Sequence, residues 1–151
     1  MRLAFPAFAR KKGRSSLRPN TNLMENGVAH ILIVDDEETI LFAMGQYIMA
    51  QGCTVDTARE LEEAQALLSN IRYHLVVADL RLSGIHGSEG LDLVAMVREC
   101  CPSTRVIVLT AYGSAEVQQE ALHRGADAVL HKSMPLAEVA ETAIKLLGCA
   151  A

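Results

Sequence analysis

Five residues, Asp35, Asp36, Asp79, Thr110 and Lys132, each stand at the end of a short apolar run. "HILIV" leads into Asp35 and Asp36, "HLVVA" into Asp79, "RVIVL" into Thr110 and "AVLH" into Lys132. Carboxylates held side by side repel one another, and taking them out of water adds to the cost. A hard divalent cation relieves that repulsion, and Mg²⁺ binds through a few carboxylates while keeping its waters. A lysine and a hydroxyl facing the same cation have little to offer the metal. They suit the oxygens of a phosphoryl group, Lys132 as a point charge and Thr110 as a hydrogen-bond donor. An aspartate can itself accept a phosphoryl group and become an aspartyl phosphate. Neither G-x-x-x-x-G-K-[ST] nor G-x-G-x-x-G occurs, so a nucleotide is not the natural ligand.

For these groups to meet, the runs that carry them must lie side by side and point the same way. The pattern predicts strands over 30–34, 53–58, 74–80, 105–111 and 126–132. Between them, apolar residues recur at helical spacing over 39–52, 60–70, 90–100, 114–125 and 135–148. Gly52 stops the first of these helices, Ser114 suits an N-cap, Gly125 a helix end, and Pro135 a first helical turn. Strands rich in Val, Ile and Leu that alternate strictly with helices imply a parallel sheet covered on both faces. Right-handed crossovers make it doubly wound. Ligands of such sheets bind beyond the carboxyl ends of the strands, where the winding reverses. The five residues fall at those ends.

Composition narrows the function classes. Of fourteen basic residues, six lie in residues 1–23, which hold no acid, so the rest of the chain carries a net charge of −10. So acidic a body argues against binding nucleic acid through general charge. No apolar run approaches the roughly 18 residues of a spanning helix, so membrane insertion is not expected. Cys53, Cys100, Cys101 and Cys149 show no metal-type spacing, and adjacent Cys100 and Cys101 are poor disulfide partners. Reduced thiols and a cytoplasmic setting are therefore expected. The expected organisation is a basic, disordered leader over 1–29, one domain over 30–148 and a tail over 149–151. The leader could instead be an arm for an acidic partner or a targeting segment, and Met24 offers an alternative start.

The pieces "ILIVDDEE", "VVADLRLSG", "GLDLVAMVRE", "VIVLTAYGS" and "GADAVLHK", in this order, resemble the receiver domain of two-component response regulators. The likeness is to chemotaxis-regulator-like single-domain receivers and covers residues 30–148. It implies a flavodoxin-like sheet of five parallel strands in the order 2-1-3-4-5, with five helices. It also implies roles: Asp79 as phosphoacceptor, with Asp35, Asp36, Asp79 and the Arg81 carbonyl holding Mg²⁺. Thr110 would be the switch hydroxyl, Lys132 the phosphate-binding lysine, and small Ala111 would leave the phosphoryl group accessible. The implied donor is a sensor histidine kinase or a phosphotransfer protein. The implied output is a downstream protein bound at the 111–148 face, with the chain a monomer or weak dimer. Such a module promotes its own phosphorylation and dephosphorylation rather than acting as an enzyme on other substrates.

Several positions depart from the family pattern. Ser133 replaces the proline after the lysine, Val129 replaces the aromatic switch residue, and Ser83 replaces a proline in a loop about three residues longer than usual. Val129 leaves no rotating ring, so the switch is expected to act through the backbone of residues 111–115. A rival reading is a phosphorylation-independent interaction module on the same fold, against which stands the complete acidic, threonine and lysine set. A small phosphatase or phosphotransferase is disfavoured, because no substrate-pocket residues or lid are visible. Glu37 and Glu38 read as exposed caps, His74 as an edge residue, His86 and His123 as solvated, and the methionines mostly as helix core.

Overall fold

The computed structural model describes residues 27–81, 89–111 and 114–148. Strands and helices alternate: β1 (His30–Val34), α1 (Glu38–Ala50), β2 (Thr54–Ala58), α2 (Leu61–Asn70), β3 (Leu75–Asp79). They continue as α3 (Glu89–Cys100), β4 (Arg105–Thr110), α4 (Ala115–His123), β5 (Ala128–His131) and α5 (Leu136–Leu146). All neighbouring strands pair in parallel, in the order β2-β1-β3-β4-β5, which is the predicted doubly wound sheet.

The period-two geometry of a strand divides each apolar run between two cores. Ile31, Ile33, Leu75, Val77, Ile107 and Leu109 point to one face, where Leu41, Met44 and Ile48 of α1 and Val139, Ala140 and Ala143 of α5 cover them. Leu32, Val34, Val76, Ala78, Val106 and Val108 point to the other, against Ala64 and Leu68 of α2, Leu93, Val94 and Val97 of α3, and Ala121 of α4. Full burial of each Val, Leu, Ile or Met side chain among them contributes about 1.5–3 kcal/mol.

The boundaries differ from expectation by one or two residues, where capping rather than periodicity decides. Ser114 is the N-cap of α4 and accepts the Val117 N–H at 3.3 Å, as its type predicts. Pro135 is the N-cap of α5 rather than a first-turn residue, because its ψ of 136° is extended. Its carbonyl still accepts the N–H groups of Glu138 and Val139 at 2.9 and 3.2 Å. Gly125 has a φ of +111°, and a Cβ there would collide with the Arg98 side chain. That contact has a purpose, since Arg98 Nε donates to Gly125 O and its Nη2 meets Asp127 Oδ2 at 2.7 Å. Ala29 is buried, and its carbonyl accepts the Thr54 N–H at 2.9 Å, so the packed chain begins before β1.

One bland reading needs correction. His74 is not at an edge: it leads into β3, the middle strand, and its Nδ1 accepts the His30 N–H at 2.8 Å. Its backbone bridges β1 and β4 through His30 O and the Arg105 N–H. The described methionines mostly pack on the core, as expected: Met44 is buried and Met96 and Met134 lie against it, whereas Met49 is 45% exposed on α1. His123 is exposed as expected. Residues 1–26 of the leader, residues 82–88 with Ser83 and His86, and Tyr112, Gly113 and Cys149 lie outside the described residues.

Candidate functional site

The parallel sheet brings five of the predicted residues to one rim. Asp35 follows β1 directly and is almost fully buried. Its Oδ1 accepts the Glu37 N–H at 2.9 Å, a side-chain turn that swings the chain from β1 into α1. Asp79 is the last residue of β3, is also buried, and accepts the Arg81 N–H on Oδ1 at 3.1 Å. Asp36, half-buried, offers a carboxylate oxygen that lies within 4.8 Å of those of Asp35 and Asp79. Three anions therefore share one small volume.

Lys132 supplies the cation. It follows β5 and is fixed by its own N–H, which donates to the Thr110 carbonyl at 2.8 Å. Nζ then reaches Asp79 Oδ2 at 2.8 Å, Asp35 Oδ2 at 3.2 Å and Glu37 Oε1 at 3.7 Å. The first of these is a hydrogen bond. The contact with Asp35 is an ion pair without hydrogen-bond alignment, since Oδ2 is buried and has no hydrogen-bond partner. Thr110 ends β4 and is buried one strand over from Asp79. Arg81 is exposed just beyond β3.

The electrostatics show a site short of positive charge. Burial pushes Asp35 up to about 6; the Glu37 N–H counters it, the Asp79 charge adds to it, and Lys132 offsets only part. Asp79 is raised for the same first reason, burial, with the Lys132 hydrogen bond and charge opposing and Asp36 adding. Burial disfavours the Lys132 ammonium, but the hydrogen bond and charge of Asp79, with Asp35 behind them, outweigh it and hold the lysine above its ordinary value. One ammonium does not neutralise three carboxylates. The Asp35 oxygen that has an ion pair but no hydrogen bond, together with the all-oxygen donor set, fits a hard divalent cation such as Mg²⁺.

Two neighbours of the site were missed in the sequence. Glu37 is exposed as expected, yet its carboxylate lies within ion-pair reach of Lys132. The signal was its place two residues after Asp35, where the turn carries it back over the rim. Gly90, in the first turn of α3, lies against the end of β3. A Cβ there would stand 2.5 Å from Asp79 O and 2.6 Å from Leu80 Cα. Its N–H also donates to Leu80 O at 3.2 Å. Only glycine lets α3 come this close to the strand end that presents Asp79. Gly90→Ala is expected to cost about 2 kcal/mol or more, because the obstructing atoms are backbone. Urea denaturation checks this, and an unchanged midpoint would show that the approach is not tight.

Comparison with known proteins agrees with the geometry. The model of the response regulator receiver domain matches residues 31–144. Protein PetR of Rhodobacter capsulatus is 33% identical over 110 residues, covering 73% of this chain and 45% of PetR. A CheY-like receiver domain protein from Methanospirillum hungatei superposes with a TM-score of 0.75 at 29% identity, over 81% of this chain and 95% of that one. A response regulator protein from Burkholderia pseudomallei, solved with a phosphorylated aspartic acid, a calcium ion and citrate, gives a TM-score of 0.68 at 25% identity. That likeness covers 78% of this chain and 72% of the other. The fold is therefore the flavodoxin-like doubly wound sheet of the CheY class. The chain belongs to the response regulator receiver domain family of two-component signalling. It spans less than two thirds of the length of the curated relatives it matches. Among the described residues, no helix is long and apolar enough to cross a membrane.

Proposed function

We propose that this chain accepts a phosphoryl group on Asp79 and signals through a changed protein-binding surface. The observation that carries the reading is the Lys132 ammonium, 2.8 Å from Asp79 Oδ2 and 3.2 Å from Asp35 Oδ2, inside an under-neutralised carboxylate cluster. In the proposed reaction, an Asp79 oxygen attacks the phosphorus of a phosphohistidine on a sensor histidine kinase or phosphotransfer protein. The O–P bond forms, the P–N bond breaks, and the imidazole leaves with the electron pair and takes up a proton. Arg81 N–H holds Asp79 Oδ1, which leaves the Oδ2 side, beside Lys132, for the incoming group. Lys132 then transfers its hydrogen bonding to the phosphoryl oxygens, where the developing charge is greatest. Asp35, Asp36, Asp79 and the Arg81 carbonyl would hold Mg²⁺. When bound, Mg²⁺ neutralises charge on the phosphoryl oxygens as they approach the carboxylates.

Incubation with acetyl phosphate tests the reading without the natural donor. The chain is expected to gain one phosphate by intact mass with Mg²⁺ present and essentially none in EDTA. No gain at any Mg²⁺ concentration would favour a module that works without phosphorylation.

The output is read through Thr110. Its hydroxyl is proposed to move toward the phosphoryl group and to draw the chain after β4 with it. Val129, β-branched and short of rotamers, passes little of this on. The changed surface would be α4, β5 and α5, where a downstream protein binds the chain as a monomer or weak dimer in the cytoplasm. Thr110→Ala is expected to remain phosphorylatable but to lose the phosphorylation-dependent amide shifts across that face, whereas Val129→Ala keeps them. A full shift pattern in Thr110→Ala would remove the hydroxyl from the mechanism.

A further inference from the structure

Cys100 ends α3, Cys101 follows it, and their sulfurs stand 2.7 Å apart, well inside the van der Waals contact of two sulfur atoms. Consecutive side chains on a helix point about 100° apart around the axis and do not ordinarily meet. Here the helix end brings them together. The Cys101 N–H still donates to Val97 O at 2.7 Å, while the Thr104 N–H turns back onto Cys101 O at 3.0 Å. Arg98 pins the same turn by donating to the carbonyls of Pro102 and Thr104. Both cysteines are only partly buried. The hydrogen bond from Cys100 lowers the Cys101 thiol below its ordinary value, and Arg72 acts in the same direction. That favours the thiolate at Cys101, the form that binds soft centres, while the same contact and burial raise the Cys100 thiol.

The spacing selects among those centres. Structural zinc wants four ligands in a tetrahedron, and among the described residues the carboxylate cluster is the only group of three or more candidate ligands. A linear two-coordinate ion needs its sulfurs on opposite sides, which adjacent residues cannot supply. A direct disulfide between neighbours closes a small, strained ring. A pyramidal trivalent centre takes two sulfurs side by side and enlarges that ring by one atom. We propose that Cys100 and Cys101 form a chelating dithiol for a thiophilic trivalent metalloid, of the monosubstituted arsenical class. In the step, two As–O bonds break and two As–S bonds form. The thiol protons leave with the oxygens as water, and no oxidation state changes.

The test uses phenylarsine oxide on the full, reduced chain. One adduct per chain is expected by intact mass, resistant to excess monothiol and released by a small dithiol. Cys100→Ser and Cys101→Ser should each weaken binding by about 100-fold or more, because the second sulfur no longer acts at high effective concentration. Cys53→Ser should leave it unchanged. The proposal is overturned if the wild type forms no adduct, if a monothiol strips it as readily as a dithiol, or if Cys100→Ser binds as tightly as wild type. Should a serine variant melt early, peptide mapping of the wild-type adduct decides. Arsenic on the peptide carrying both cysteines supports the chelate, and arsenic elsewhere overturns it.

Discussion

Asp79→Asn is expected to take up no phosphate from acetyl phosphate under conditions in which the wild type is modified. The amide is nearly the same shape, and its oxygen can still accept the Arg81 N–H now held by Asp79 Oδ1. It lacks the anionic oxygen that attacks phosphorus. The fold should not suffer. Asp79 is buried and raised above its ordinary value, so its charged form is a burden on the folded state near neutral pH. Removing that charge leaves Lys132 paired with Asp35 at 3.2 Å. The variant should therefore melt at or above the wild-type temperature while its intact mass stays unmodified. A phosphate on Asp79→Asn would place the acceptor elsewhere.

Lys132→Met carries the second large effect, on stability as well as chemistry. Methionine keeps most of the volume but leaves Asp35 and Asp79 buried with no cation between them. Removing one partner of a buried pair costs about 3–5 kcal/mol, most of it the penalty of the charge left behind. The pH dependence fixes the sign. A buried carboxylate raised to about 6, as Asp35 is, holds its proton more tightly in the folded state than in the unfolded state, where it stands at 3.8. Its penalty is absent below the unfolded value, grows as pH rises between the two, and is complete above the folded one. In wild type without metal, this alone should lower stability by on the order of 2 kcal/mol from pH 4 to pH 7. Without Lys132 both carboxylates are pushed higher, and the window extends upward. Urea denaturation in EDTA should show a large deficit for Lys132→Met at pH 8 that shrinks toward pH 5. An equal deficit at both pH values would mean that lost packing, not unpaired charge, is responsible. Phosphoryl uptake by the variant should fall by about 100-fold or more.

Most of the fold could be read from local pattern. Runs such as "RVIVLT" are too apolar and β-branched for anything but a central strand, and β4 buries five of its six residues. Strict alternation with helices then leaves little choice of topology. The rim residues were legible because strand ends in a parallel sheet all point to one side, so position along each run gave position in space. What escaped was set by close approach between distant segments. Nothing local marks Gly90 as the point where α3 meets the backbone of Asp79 and Leu80. Nor does anything local say that Glu37, exposed on its turn, would lean toward Lys132, or that His74 would brace the central strands. The convergence of Cys100 and Cys101 likewise depends on how α3 ends, which Arg98 fixes from both sides of the turn.

The central claim is that Asp79 is the phosphoryl acceptor, and trapping the acyl phosphate tests it most directly. The chain would be phosphorylated with acetyl phosphate and Mg²⁺, reduced at once with borohydride, and mapped by peptide mass spectrometry. Borohydride converts an aspartyl phosphate to homoserine and leaves unmodified aspartates alone. The account predicts homoserine at position 79, with Asp35 and Asp36 intact. Homoserine at position 35 or 36, or a phosphate on a side chain that borohydride does not reduce, would contradict it.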